Sequence, residues 1–416
     1  MANLRSAFED HEYDRMAREL ARLQKSGGDP IEAVAAAIEW SHDRFPFGMT
    51  HAYAAAAGWL ALHDRSNDAE TRLVCLVEAI GHMAWDCLRE PARAFSTETR
   101  RFNRADFLAS IEIQDEQSAV ALLRGALAEG LRFSDLEGSL TSAALRHYAD
   151  FGHSLIYVLH AGKLVERLGP RVEAPLLLSL VRSLVNASRE DLIPEFRRYA
   201  SALAAWPRSS VGGGGEAAEM AIFHGRSIND TLAATVEAAR VMPATELHRA
   251  LLGANAMNLL RYDTRYQDRA DNTVAENVGW LDFTHGLTFA NAVRLQCGKF
   301  PELWPQGLLQ MACFAGRNSA FIDGDAAVET WSSLDRKVFA EECQARIMDH
   351  GEPDYIHSAH LVKTFLAAEE ETEAARSDET ERVVMAATTR YFKAPWKRKH
   401  TRRTAHQALD FVALED

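Results

Sequence analysis

The stretch DYIHSAHLVKTFL (residues 354–366) places His357, His360 and Lys363 at three-residue steps in an otherwise apolar helical run. On a helix, residues three apart are neighbours. His357 with His360, or His360 with Lys363, could therefore grip one ion. His357 and Lys363 are six apart and point to clearly different sides, so one ion does not take all three. A lysine beside metal-grade imidazoles is unfavourable as an ammonium, because it repels the cation. Burial favours its neutral amine, and a neutral amine adds carbon dioxide to form a carbamate. Such a group is in effect a long carboxylate, and it would supply the negative charge that an all-imidazole site lacks.

The chain holds 16 histidines, so the rest need sorting. Those in apolar or small-residue surroundings, besides the late pair, are His51 (GMTHAYAAAAG), His82 (AIGHMAW), His153 and His160 (DFGHSLIYVLHAG) and His285 (DFTHGLTFANAVR). A buried imidazole needs a partner for each ring nitrogen, which core hydrogen bonds or a metal can provide. His153 and His160 share a helix face but lie roughly 10 Å apart along the axis, at about 1.5 Å per residue. Only one of them can ligate a given ion, and the other lines the cavity. Tyr157 falls one turn after His153 on the same face. His11, His42, His63, His350, His400 and His406 have charged or polar neighbours and are expected at the surface.

The elements that must position these groups are helices. DPIEAVAAAIEW offers Asp29 as N-cap and Pro30 at the first helical position. DAETRLVCLVEAIGHMAWDCLRE, EQSAVALLRGALAEGL, APLLLSLVRSLVNAS and NDTLAATVEAARV repeat apolar residues at three- and four-residue steps. Alternating β-branched runs are absent, so the fold class is all-α. AYAAAAGWLAL and HSLIYVLHAGKLV have hardly a polar side, as helices in the middle of a large bundle do. The reading is a single large multi-helix domain over 1–416, with buried central helices enclosing a metal site. N-terminal helices occupy 1–44, a flexible glycine-rich loop 206–220, and a basic C-terminal segment 393–416. The acidic EEETEAARSDETER and the basic KAPWKRKHTRR are read as solvated faces or as docking on each other.

Composition narrows the function classes. A net charge of -13 opposes wholesale nucleic-acid binding, which needs a basic footprint. Five scattered cysteines without a CxxC pair indicate neither a disulfide framework nor a zinc ribbon, and fit thiols in a reducing cytoplasm. The N-terminus lacks the apolar core of a signal peptide. The uncharged stretch 45–63 is interrupted by Pro46, Gly48, Thr50 and His51, a poor match to the about 20 strongly apolar residues of a membrane span. The four glycines of 212–215 follow no strand and carry no GxxxxGK[ST], so they do not read as a phosphate cradle.

Four stretches in order, THAYAAAA, HSLIYVLHA, THGLTFANAVR and SAHLVKTFLAA, resemble the questin oxidase family, over about residues 45–370. The resemblance implies an all-helical, non-haem iron oxygenase that opens rings of polyketide-derived anthraquinones or related aromatics with dioxygen, in secondary metabolism. It further implies Fe(II) held by His51, His153, His285 and His360 with a carbamylated Lys363. Imidazoles plus an anionic oxygen donor suit that ion. Tyr157 and His160 are the candidates for hydrogen-bonding a substrate phenol or quinone oxygen. Reducing equivalents would come from a nicotinamide cofactor such as NADPH; with no GxGxxG after a strand, it would bind in an unrecognised way or act through a partner reductase.

Two other readings belong to different classes. His42–Asp43 and His63–Asp64 are HD dipeptides, the pairing used by helical metal-dependent phosphohydrolases. Alternatively the chain is a helical binding or scaffold protein whose buried histidines only satisfy core hydrogen bonds.

Overall fold

Short polar side chains fix where many helices begin. Asp68 accepts from the Thr71 N–H, Asn103 from Asp106, Asp115 from Ser118 and Ser227 from Asp230, each satisfying a first-turn donor that the helix leaves open. The structure, a computed structural model, describes all residues except 88–89, 149, 190–191, 193, 208–219, 333–334, 376–377, 396–400 and 413–416. Among the described residues the chain is all-α, with no strand beyond an isolated bridge between Tyr262 and Ile322.

In chain order the first helices are α1 (Ala2–Glu9), α2 (Tyr13–Lys25), α3 (Ile31–Ser41), α4 (His51–Arg65), α5 (Ala69–Asp86), α6 (Arg104–Glu112) and α7 (Glu116–Ala128). Next come α8 (Phe133–Ala144), α9 (His153–Leu168), α10 (Glu173–Asn186), α11 (Tyr199–Ala204), α12 (Ile228–Ala238), α13 (Ala244–Leu260) and α14 (Arg265–Asp268). The last are α15 (Trp280–Lys299), α16 (Trp304–Asn318), α17 (Val328–Trp331), α18 (Arg336–Met348), α19 (Tyr355–Ala374), α20 (Asp378–Lys393) and α21 (Thr401–Val412). None of them is long and apolar enough to cross a membrane. Helix α3 starts one residue later than the sequence suggested. Asp29 caps it by accepting from the Ile31 N–H at 2.9 Å.

The chain divides into two compact units. Unit 1 comprises Met1–Leu192, Leu295–Leu303 and Ala345–Leu366. Its central helix is α4, buried from Ala52 to Leu60 on every face, which packs on α5 and α9. The small side chains of its alanine run let neighbours come close. A Cβ on Gly58 would meet Val362 and Leu366 of α19 at 3.1 Å, so glycine sets the approach of those two helices. Unit 2 comprises Ile193–Arg294, Trp304–Gln344 and Ala367–Asp416, with α13 buried almost throughout and packed on α16 and α20.

The glycine-rich loop expected at 206–220 falls largely on 208–219, outside the described residues, as do 396–400 of the basic C-terminal segment. The acidic and basic stretches make ion pairs with other partners within unit 2. Glu371 pairs with Arg294 at 2.7 Å, Glu381 with Arg336 at 2.5 Å and Lys393 with Glu342 at 2.9 Å, while Arg403 donates to the Arg269 carbonyl at 3.0 Å. All five cysteines are buried free thiols. Burial pushes Cys75, Cys87, Cys297 and Cys343 up to about 12, which makes them poor nucleophiles at neutral pH.

Candidate metal centre

Three helices of unit 1 bring imidazoles together. His51 is the first residue of α4, His153 the first of α9, and His360 lies in α19. The Nε2 atoms of His51 and His153 are 3.1 Å apart. Ring centroids lie 4.7 Å apart for His51 and His153, and 4.8 Å for His51 and His360. Of the late histidine pair, His360 is thus packed on His51.

Backbone carbonyls fix the tautomers. His153 Nδ1–H donates to the Asp150 carbonyl at 2.5 Å, and His360 Nδ1–H to the Ile356 carbonyl at 2.7 Å. Each ring is left with an unprotonated Nε2, the form that ligates a metal. The Asp150 carbonyl is brought there by a left-handed turn. Asp150, Phe151 and Gly152 have φ of 53°, 49° and 81° immediately before α9. Glycine takes that conformation freely, whereas an aromatic residue there is strained.

A polar layer lies at the start of α4, where Thr50 directly precedes His51. Thr50 caps α4 by accepting from the Ala52 N–H at 3.2 Å, and donates its hydroxyl to Asp86 at 2.6 Å. His82 approaches Asp86 at 3.4 Å and stacks on Tyr355, the first residue of α19, at 5.2 Å. Burial alone would raise the Asp86 carboxyl, but His82, Thr50 and the Ala52 N–H hold it below the usual carboxylate range. Sequence reasoning missed Thr50 and Asp86. The signals were a threonine directly before a helix and an acid one turn after His82.

Tyr157 turns its hydroxyl to His51 Nδ1 at 3.4 Å. Burial, with Asp150 and Asp86 nearby, raises its pKa well above the ordinary phenol value, so the phenol keeps its proton. His160 is buried, and its Nδ1 has no hydrogen-bond partner among the described residues. Burial, and then the charges of Lys163 and Lys363, keep it neutral at physiological pH.

Lys363, one turn beyond His360, is only 2% exposed, and its Nζ has no hydrogen-bond partner among the described residues. Burial lowers the amine from 10.5 to about 7. Close to half of it is therefore uncharged near neutrality. Burial first, then the lysine, also pushes His360 well below the ordinary histidine value. The last of the singled-out histidines, His285, lies buried on α15 in unit 2.

Two histidines expected at the surface are not there. His63 is 1% exposed; its Nδ1 faces Asp64 at 3.0 Å and its Nε2 accepts from Arg72 at 3.1 Å. Asp64 is gripped by Arg167 through two bonds of 2.6 and 2.9 Å, which hold its carboxyl down at about 2. The His63–Asp64 dipeptide is thus committed to arginines. His350 is largely buried and faces Glu78 at 3.3 Å.

Comparison with protein-family models, with curated proteins and with solved structures finds no match for this chain.

Proposed function

We propose that the chain is a non-haem iron oxygenase of the questin oxidase type, acting with dioxygen on a polyketide-derived or related aromatic quinone. Fe(II) would be held by His51, His153, His285 and His360 with a carbamylated Lys363, the set that the sequence resemblance implies. The observation that carries the reading is a buried amine with no hydrogen-bond partner among the described residues, one turn from an imidazole that packs on His51. Hydrogen bonding within a core would account for histidines, but not for a buried lysine with no hydrogen-bond partner among the described residues.

The donor set fits the metal. Two ligand nitrogens about 2.1 Å from one ion and at a right angle to each other are about 3.0 Å apart. The separation of 3.1 Å between the His51 and His153 Nε2 atoms matches that spacing. The uncharged Lys363 amine attacks carbon dioxide, forming a C–N bond and losing a proton, and the resulting carbamate brings an anionic oxygen to a neutral set. Bound there, Fe(II) would supply one-electron chemistry with dioxygen.

The chain's own groups bind and orient the substrate in this reading. With His51 ligating through Nε2, its Nδ1–H donates to the Tyr157 oxygen, and the phenol proton is then free for a quinone carbonyl. Neutral His160 offers its Nδ1 to a substrate hydroxyl. The ring carbon beside the carbonyl is thereby oriented for oxidation, leading to ring expansion or direct carbon–carbon cleavage. NADPH or a partner reductase supplies electrons where the substrate does not. Five free thiols favour a reducing compartment such as the cytoplasm, and the acidic charge favours neither nucleic acid nor membrane as partner.

The scaffold reading keeps one observation in its favour: 3.1 Å is also a hydrogen-bond distance between two imidazoles. The phosphohydrolase reading has less support, because Asp64 is occupied by Arg167. The test is oxygen uptake by iron-loaded protein with a hydroxyanthraquinone. Uptake and loss of the quinone chromophore support the oxygenase; a stable chromophore with bound iron argues against it.

A further inference from the structure

Unit 1 contains a second feature that the oxygenase reading does not use. A cleft of about 480 Å³ is lined by Tyr13, Trp85 and Tyr355, with Glu78, His350 and Glu352 among its other walls. Its volume lies in the range of small-molecule sites. Trp85 is 51% exposed and Tyr13 38%, so aromatic faces are open to a ligand. The rings of Trp85 and Tyr355 are 6.3 Å apart and tilted by 48°, two walls of a box.

The electrostatics of the cleft are unbalanced. Glu78 is 3% exposed and accepts from Tyr13 at 2.9 Å, Ser358 at 3.0 Å and His350 at 3.3 Å. His350 Nδ1 accepts from the Glu352 N–H at 3.0 Å, which turns the Nε2 side of the ring to Glu78. No lysine or arginine pairs with Glu78 among the described residues. Burial would raise its carboxyl, yet the hydrogen bond and charge interaction with His350, and then the bonds from Tyr13 and Ser358, hold it below the usual value, and it stays anionic. The Glu352 side chain is 5% exposed; one oxygen meets Arg346 at 2.6 Å, and the other has no hydrogen-bond partner among the described residues. Buried charge is ordinarily paired, and a cation over aromatic faces is attracted to them.

We propose that this cleft binds a small organic ammonium, its charge set against Glu78 and Glu352 and its carbon skeleton against Trp85 and Tyr355. An aryl-ethyl ammonium has the right division into a charged head and a flat apolar body. Binding is measured by calorimetry at neutral pH with phenethylammonium, against 2-phenylethanol as the neutral analogue of the same shape. The ammonium is expected to bind at least about tenfold more tightly than the alcohol, and Trp85→Ala and Glu352→Gln each to weaken it by about tenfold. Glu78→Gln should do the same if it folds; the other two variants decide the matter if it does not. Equal affinity for the two compounds, no heat from the ammonium, or affinity unchanged in both Trp85→Ala and Glu352→Gln overturns the proposal. Iron content is not a readout, so failure here and failure of the oxygenase reading are separable.

Discussion

His51 Nε2 and His153 Nε2 face each other at 3.1 Å across 102 residues of chain. Two lone pairs at that distance repel unless a proton or a cation lies between them. The Asp150 carbonyl already takes the His153 Nδ1 proton, so the second imidazole is held open on that side. The positions of α4 and α9 thus bring two ring nitrogens to one point, where a shared proton or a cation lies between them.

Lys363 is buried with no hydrogen-bond partner among the described residues, and its titration has a definite sign. Its amine is near 10.5 when unfolded and about 7 when folded, so between those values the unfolded chain holds the extra proton. Stability of the metal-free protein should rise with pH through that window, by about 1.4 kcal/mol per pH unit at most from this group, and the burial penalty is full below pH 7. In Lys363→Met that contribution should vanish, as read by urea unfolding of both proteins across pH 7 to 10. Parallel pH profiles would show that Lys363 is not buried as an amine.

The same substitution separates stability from function. Met fills the volume without an unpaired polar atom, so metal-free Lys363→Met should be more stable than wild type at neutral pH by about 1–3 kcal/mol. Iron binding should weaken in parallel, and the carbamate carbon signal seen with ¹³C-labelled carbon dioxide should disappear. A signal that persists in Lys363→Met would place the carbamate elsewhere.

Thr50 serves α4 and Asp86 together. Thr50→Val removes the cap and the hydroxyl, and should cost about 1 kcal/mol of stability. If these bonds hold the first turn of α4, where His51 sits, iron affinity should also fall, by about 10- to 100-fold in chelator competition. Loss of stability with unchanged affinity would make Thr50 a cap and nothing more.

Gly58 tests the helix approach. Gly58→Ala gains about 1 kcal/mol of helix propensity, which should roughly offset the tight contact with Val362 and Leu366. Gly58→Leu should cost about 1–3 kcal/mol or more by overpacking and should reduce iron retention. Thermal unfolding and metal analysis of the two variants read both effects.

The helices were legible because their signals are local. The three- and four-residue steps of DAETRLVCLVEAIGHMAWDCLRE, with Asp68 ahead of them, correspond to α5 and its cap. Burial of individual histidines was legible only where neighbours were apolar. His63 lies beside Asp64 and Arg65, so its burial depends on Arg72 from α5, a partner that local composition does not reveal. His350 is the same case, through Glu78. The choice between His357 and His360 was open because one helical turn separates them, and only packing on His51 distinguishes His360. The left-handed Asp150 and Phe151 had no signal in their residue types; Gly152 alone hinted at a turn.

The most direct test of a metal held by distant imidazoles and a modified amine is the iron content of protein loaded anaerobically with Fe(II) and desalted, for wild type, His153→Ala and the surface control His406→Ala. The account expects about one iron per chain in wild type and in His406→Ala, and near-complete loss in His153→Ala. Wild type that retains no iron, or His153→Ala that retains as much as wild type, would contradict it.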